Sequence, residues 1–203
     1  DGGIFVDIGG TFPMLDECNV AWGDYDNDGD LDVAMLGLIY DGQDPTRFIT
    51  RIYRNDAGSF TDINAPLTIE AEGSLAWADY DKDGDLDLVT CGYSIVLSLP
   101  ATRLYRNDNG TFVDVNAPLI NVASGPVAWA DYDNDGDPDL IVAGSDGSAQ
   151  TSKTSIYRND LGTFVDIQAA IDPLWVWGSA AWADYDNDGD LDLAFSGLTN
   201  TST

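Results

Sequence analysis

The aspartates of this chain are concentrated in four short loops of one pattern, and their spacing suits the binding of a metal ion. Each loop reads Asp-x-Asp-x-Asp-Gly-Asp-x-Asp, so carboxylates alternate at positions 1, 3, 5, 7 and 9, with glycine at position 6. A calcium ion takes about six to eight oxygen ligands, and an alternating loop can wrap such ligands around one centre. The glycine permits the sharp turn, and position 7 is expected to contribute its backbone carbonyl. The sequence therefore predicts four Ca²⁺ sites, with the candidate ligands Asp24, Asp26, Asp28, Asp30, Asp32, Asp79, Asp81, Asp83, Asp85, Asp87, Asp131, Asp133, Asp135, Asp137, Asp139, Asp184, Asp186, Asp188, Asp190 and Asp192.

Two other interpretations of these loops are less favoured. In an aspartate-rich turn without metal, five carboxylates in nine residues would repel one another with nothing to offset the repulsion. Magnesium is less favoured because it prefers octahedral sites that retain several waters. Four near-identical copies therefore favour calcium.

Composition and charge exclude several classes of function. The 203 residues include 36 acidic and 8 basic ones, for a net charge of −28, and no histidine. Such a surface does not neutralise phosphates, so we expect no nucleic-acid partner, and it avoids anionic membranes. No apolar run approaches the roughly 20 residues of a membrane span. Without histidine there is no Ser-His-Asp or Cys-His nucleophile pair, and we predict that the chain is not an enzyme.

The acidic loops recur with a second element in a repeat that covers the chain. Tryptophans just before the loops stand at 22, 77, 129 and 182, at spacings of 55, 52 and 53, and the run Tyr-Arg-Asn-Asp begins at 53, 105 and 157. We interpret 1–203 as a single repeat region with units of approximately 1–55, 56–107, 108–159 and 160–203.

Each repeat unit is predicted to form four short strands. Around the second acidic loop these are 74–80, 86–91, 103–106 and 111–115, with Gly, Asp and Asn at the junctions as expected of hairpin turns. No segment resembles an amphipathic helix. Repeated sets of four antiparallel strands are typical of β-propeller blades, so the predicted fold is an all-β propeller with four repeats.

One blade is predicted to be incomplete. Residues 1–8 align with a fourth strand, and the Tyr-Arg-Asn-Asp element is absent after the last acidic loop, which gives 15 strands of a 16-strand set. A middle strand cannot be lost cheaply, because both of its neighbours would lose a ladder partner. We therefore expect either a part of a longer propeller or a chain that takes the missing strand from a partner.

The run Asp-Tyr-Asp-Asn-Asp-Gly-Asp-Leu-Asp-Leu after an apolar Ala-Trp strand resembles the FG-GAP/VCBS repeat family of integrin α-subunit-like propellers. The resemblance extends over essentially the whole chain. It implies a ring of seven or eight blades with a calcium loop between the first and second strands of each. The family includes adhesion modules, lectins and propeller regions of polysaccharide-acting enzymes.

The favoured function is therefore a calcium-stabilised binding or adhesion module that recognises a glycan or an extracellular protein. One alternative is a structural subunit of a surface layer or filament that assembles through blade edges. Another is a non-catalytic or catalytic propeller of a polysaccharide-acting enzyme. Low-affinity calcium loops stay filled only outside the cytosol, so we expect a secreted or cell-surface protein.

A few residues outside the loops carry further expectations. Trp175 and Trp177 are the only tryptophans outside the repeat pattern and are candidate ligand contacts, with local packing as the alternative. The repeated tryptophans are expected to pack between blades, and the repeated arginines to pair with aspartates or loop carbonyls. The two cysteines, Cys18 and Cys91, leave a disulfide open.

Overall fold

The computed structural model describes residues 4, 5, 7, 9, 12–40, 47–148 and 151–199, without the side chains of 174–177, 198 and 199. These residues form fourteen strands and no helix. The strands are β1 (Leu15–Gly23), β2 (Asp32–Ile39), β3 (Phe48–Asp56), β4 (Ser59–Asp62), β5 (Glu70–Ala78), β6 (Asp87–Ser94), β7 (Leu99–Asp108), β8 (Thr111–Asp114), β9 (Val127–Ala130), β10 (Asp139–Ser145), β11 (Ser152–Asp160), β12 (Thr163–Asp166), β13 (Leu174–Ala183) and β14 (Asp192–Thr199). None of the described residues belongs to a helix that could cross a membrane.

The strands form antiparallel sheets in which sequence neighbours pair. Strands β1–β4, β5–β8 and β9–β12 each make a four-stranded meander, and β13 pairs with β14 in a two-stranded sheet. We call these sheets blades 1 to 4. The repeated four-stranded antiparallel blades of a β-propeller are thus confirmed.

The outer hairpin of each complete blade turns through two residues with positive φ. In blade 2 these are Asn109 at 51° and Gly110 at 85°. Two such residues in a two-residue turn match the right-handed twist of the flanking strands. This turn recurs in blades 1 and 3, at Ala57 with Gly58 and at Leu161 with Gly162, so local sequence fixes the register of the outer pair.

The sequence located the strands of blade 2 but placed most of their ends inaccurately. The third strand begins at Leu99, four residues before its predicted start, because Leu99 and Pro100 still pair with Ser94 and Tyr93. The sheets also begin one strand later than the repeat units, whose boundaries fall between third and fourth strands. The strand predicted at residues 1–8 falls largely outside the described residues, and its place in a blade remains a prediction.

The core lies between successive blades. Strand β1 packs against β5, and β5 against β9. The second strand of each complete blade is buried at nearly every position because blade faces or flanking strands cover it on both sides. The cluster between blades 1 and 2 consists of Tyr25, Ala34, Leu36, Ile52, Leu75, Leu88, Tyr105 and Phe112.

The repeated tryptophans contribute to these blade contacts. Trp77 stacks on Tyr25 of blade 1 with ring centroids 6.3 Å apart, and its indole N–H donates to the Ala21 carbonyl at 3.3 Å. Trp129 makes the same bond to Ala76. The prediction of packing between blades is wrong for Trp22, which is 55 % exposed because no described blade covers that side of β1.

The remaining structural expectations concern arginine and cysteine. The repeated arginines pair with the aspartate two residues later, as in Arg106 with Asp108 at 2.8 Å, which confirms the predicted pairing. Cys18 and Cys91 are both free thiols, the first exposed and the second buried. Burial raises the pKa of Cys91 to about 12.

Candidate metal sites

Each acidic loop joins the first and second strands of a blade and turns through two residues with positive φ. In blade 1 these are Asn27 at 58° and Gly29 at 94°. A Cβ added to Gly29 would meet nothing within 4 Å, so glycine is required there for its backbone angle and not for space. The same pair of angles recurs in the other three loops.

The carboxylates at positions 1, 3 and 9 converge in every loop. In each group one oxygen per residue lies within 4.8 Å of the others. These groups, the convergent triads, are Asp24, Asp26 and Asp32 in blade 1; Asp79, Asp81 and Asp87 in blade 2; Asp131, Asp133 and Asp139 in blade 3; and Asp184, Asp186 and Asp192 in blade 4.

The position 9 carboxylate is buried in the three complete blades. In blade 2, Asp87 is fully buried and accepts hydrogen bonds from the backbone N–H of Tyr80 at 3.1 Å and of Asn107 at 2.8 Å. Asp32 and Asp139 accept the corresponding pairs of bonds. These bonds hold position 9 between its own loop and the third strand of its blade.

Positions 1 and 3 direct free oxygens into the site. Asp79 accepts from the Gly84 N–H at 3.0 Å through one oxygen. Its other oxygen and one oxygen of Asp81 are buried without a hydrogen-bond partner, as are Asp26 Oδ1 and Asp131 Oδ1 in the neighbouring blades. A buried carboxylate oxygen without a partner is costly, so these oxygens fit a hard cation.

The electrostatics of the triads agree with this fit. Burial raises the pKa of Asp87 to about 7, with the charges of Asp81 and Asp83 adding to the effect while backbone hydrogen bonds oppose it. Burial likewise raises the pKa of Asp139 to about 6. A bound divalent cation would favour the ionised form of these groups and remove the mutual repulsion.

The side chains at positions 5 and 7 have structural roles that were not predicted. Asp28 accepts from the backbone N–H of Asp30 at 2.8 Å. Asp30 in turn accepts from the N–H of Ala57 in the β3–β4 turn at 2.7 Å. Position 7 caps the same turn in blades 2 and 3. The recurrence of an acidic loop and a hairpin turn in each unit, 27 residues apart in blade 1 and 24 in blades 2 and 3, was the signal for this contact.

A second residue type missed from the sequence is the asparagine of the third strand. Asn107 is fully buried, and its side-chain amide donates to the carbonyls of Leu86 in its own blade and Tyr25 in the loop of blade 1. Asn159 does the same between blades 3 and 2. The acidic loops of blades 1 and 2 are therefore each connected to the following blade, and the recurring Tyr-Arg-Asn-Asp element contained this information.

Two concave surfaces lie away from the loops. The inner strands of the four blades line a groove of about 460 Å³, in which Ser124 donates to a Glu72 carboxylate oxygen at 2.9 Å. A cleft of about 380 Å³ lies between blade 1 and the start of blade 2. The side chains of Trp175 and Trp177 lie outside the described residues, so their ligand role stays a prediction; Trp177 directly precedes Gly178, which lines the groove.

Meander blades with an acidic loop between their first and second strands define this protein as a repeat β-propeller. The FG-GAP-like repeat family matches residues 24–90, 95–142 and 131–195, and the chain belongs to this family. No curated protein matches the chain. Among solved structures it is similar to an Agrocybe aegerita lectin described as recognising non-reducing terminal N-acetylglucosamine, with 17 % identity and a TM-score of 0.44. The match covers 88 % of this chain and spans 60 % of the lectin.

Proposed function

We propose that this chain is a calcium-stabilised, extracellular β-propeller whose function is to bind a glycan or a protein. The observation that carries the calcium assignment is the set of buried, unpartnered oxygens in the convergent triads. Four copies of one acidic arrangement, each between two paired antiparallel strands, favour a repeated structural ion over a single reactive centre.

The triads are placed where an ion would stabilise more than its own loop. Position 9 is bonded to the third strand, and position 7 to the turn after it, so ordering the loop orders the rest of the blade. An ion bound there would supply positive charge that offsets carboxylate repulsion. Because it would bind the folded state preferentially, the stabilisation would be additive with the free energy of folding.

Thermal unfolding with and without calcium tests this assignment. Free calcium at about 100 times the dissociation constant stabilises the folded state by about 2.7 kcal/mol per site. Each kcal/mol shifts Tm by about 2–4 °C in a domain of this size. With several sites filled, we expect chelation to lower Tm by about 10 °C or more, and magnesium to restore only part of the loss. A Tm within a degree or two of the calcium-loaded value would contradict the assignment.

The groove lined by the inner strands is the proposed ligand site. It is concave, polar and formed by rigid strands, which suits recognition of a sugar or a peptide segment. A glycan array probed with the calcium-loaded protein tests this, with Trp177→Ala as the variant and Trp22→Ala as the exposed control. Binding lost only in Trp177→Ala would support a glycan site, and silence across the array would favour a protein ligand.

Assembly through blade edges is a second candidate. Strand β14 has no partner on its outer edge among the described residues, whereas every other second strand pairs on both sides. Such an edge can accept a strand from another chain. Light scattering over a range of protein concentrations tests this, and a monomer at every concentration would count against it.

A further inference from the structure

The acidic loops contact one another across the blades through the residue at position 4. The side-chain amide of Asn27 donates to the Gly84 carbonyl at 3.1 Å and to the Asp85 carboxylate at 3.0 Å, both in the loop of blade 2. Asn134 of blade 3 makes the same two bonds to Gly189 and Asp190 of blade 4, each at 3.3 Å. Position 4 of one loop therefore contacts positions 6 and 7 of the next.

Blade 2 has a lysine at this position. The Lys82 ammonium forms an ion pair with Asp137 at position 7 of the blade 3 loop, and it lies 3.2 Å from where a Cβ on Gly136 would stand. The positive charge of Lys82 therefore lies against the acidic loop of blade 3. A hydrogen bond to Asp137 and the charges of Asp135 and Asp131 raise the pKa of Lys82, and all three groups belong to that loop.

Lysine is also unfavourable at position 4 for its backbone conformation. Lys82 has φ of 60°, and the three asparagines at this position have φ of 58°, 59° and 62°. Asparagine tolerates the left-handed region well, whereas a long side chain does not. What lysine adds is a positive charge beside a triad that is suited to a cation.

We propose that Lys82 makes the blade 3 loop a weaker divalent-cation site than the blade 2 loop, so that the sites fill in two steps as calcium rises. This inference rests on the proposed function. The blade 2 loop receives a neutral amide from Asn27, whereas the blade 3 loop receives an ammonium that repels a second cation. For a unit charge a few ångströms from a partly exposed ion, we expect a difference of about threefold to tenfold in the dissociation constant.

Exchanging the two side chains tests the inference. Calcium is titrated calorimetrically into the full chain and into the variants Lys82→Asn, Lys82→Arg and Asn27→Lys. We expect Lys82→Asn to tighten the weaker class of sites about threefold to tenfold, and Lys82→Arg to leave it weak. The reciprocal variant Asn27→Lys should weaken one further site by a similar factor.

A variant that lacks the blade 3 site tests whether Lys82 acts on that site. When Asp131→Asn removes that site, Lys82→Asn should no longer change calcium binding. If Asp131→Asn does not fold, as judged by circular dichroism, the salt dependence takes its place: the difference between wild type and Lys82→Asn should shrink as KCl rises from 0.05 to about 0.5 M.

The possible failures are distinct. A wild-type chain that binds no calcium would overturn the proposed function. Calcium binding with one class of site, unchanged in Lys82→Asn, would overturn only the role of Lys82, as would an equal effect in the Asp131→Asn background or a difference that does not depend on salt.

Discussion

The acidic loops of blades 2 and 4 differ at one of ten positions, Lys82 against Asn187, yet they lie in different surroundings. Tyr80 of blade 2 is 5 % exposed, because blade 3 packs over it, whereas Tyr185 of blade 4 is 77 % exposed. The loop sequence provides the carboxylates, and the surrounding strands provide the burial. Loops that differ at a single residue are therefore buried to different extents.

The hydrogen bonds to the position 9 aspartate also differ between blades 2 and 4. Asp87 accepts from its own loop and from the third strand, whereas the described residues give Asp192 only the bond from the Tyr185 N–H, at 3.2 Å. The value of one aspartate to the fold should accordingly depend on the blade in which it stands. The following predictions test this difference.

The largest effect is expected from truncating position 9. Asp87→Ala removes the carboxylate that accepts two buried hydrogen bonds and belongs to the triad, and it should lower the free energy of unfolding by about 3–5 kcal/mol. Asp192→Ala in blade 4 should cost less than half of that. Urea unfolding in calcium measures both, and equal losses would show that the surroundings of the loop do not matter.

The free energy of unfolding should depend on pH through Glu70, which is buried in blade 2 outside the acidic loop. Burial raises the pKa of Glu70 to about 8, while Thr90 and Arg103 oppose the shift and Asp114 adds slightly to it. The folded protein holds the Glu70 proton more tightly than the unfolded chain does. The resulting contribution to the free energy of unfolding is therefore complete below about pH 4.5 and is lost as pH rises toward 8.

The control for this effect is Glu70→Leu, since Leu15 holds the matching position at the start of β1. Between pH 5 and 9 in saturating calcium, wild type should lose about 2–4 kcal/mol relative to the variant. Chemical unfolding at each pH gives the difference. Parallel curves for the two proteins would contradict the assignment to Glu70.

The third-strand asparagine should contribute more to the free energy of unfolding where it makes a hydrogen bond to the neighbouring blade. Asn107→Ala leaves the carbonyls of Tyr25 and Leu86 without their donor, and it should cost about 2–3 kcal/mol. Asn55→Ala, which removes a more exposed bond to Leu31, should cost about 1 kcal/mol. Urea unfolding measures both losses, and a larger loss in Asn55→Ala than in Asn107→Ala would contradict this prediction.

The smallest effect concerns position 4. Asn187→Ala should cost about 1 kcal/mol through its left-handed backbone alone, and Asn27→Ala about 1.5–2 kcal/mol, because it also removes two bonds to blade 2. Both values come from thermal unfolding in excess calcium. If the two losses are the same, the bonds between loops contribute nothing to stability.

Sequence alone predicted the blades, the hairpins and the aspartates of the convergent triads, because each is encoded within one repeat. It did not predict that Trp22 is exposed while Trp77 is packed, since the two differ only in whether a described blade covers them. Nor did it reveal that Asn107 connects two loops, because that contact joins residues 82 positions apart.

The bonds from position 7 to the hairpin turns make the loops separately observable. The amide protons of Ala57, Asn109 and Leu161 each point at a carboxylate of one loop, at 2.7, 2.9 and 3.0 Å between nitrogen and oxygen. A charged acceptor shifts an amide resonance strongly, and the shift changes when a cation takes up part of that charge. Three backbone signals in a nuclear magnetic resonance spectrum would thus follow the loops of blades 1, 2 and 3 one at a time during a single titration.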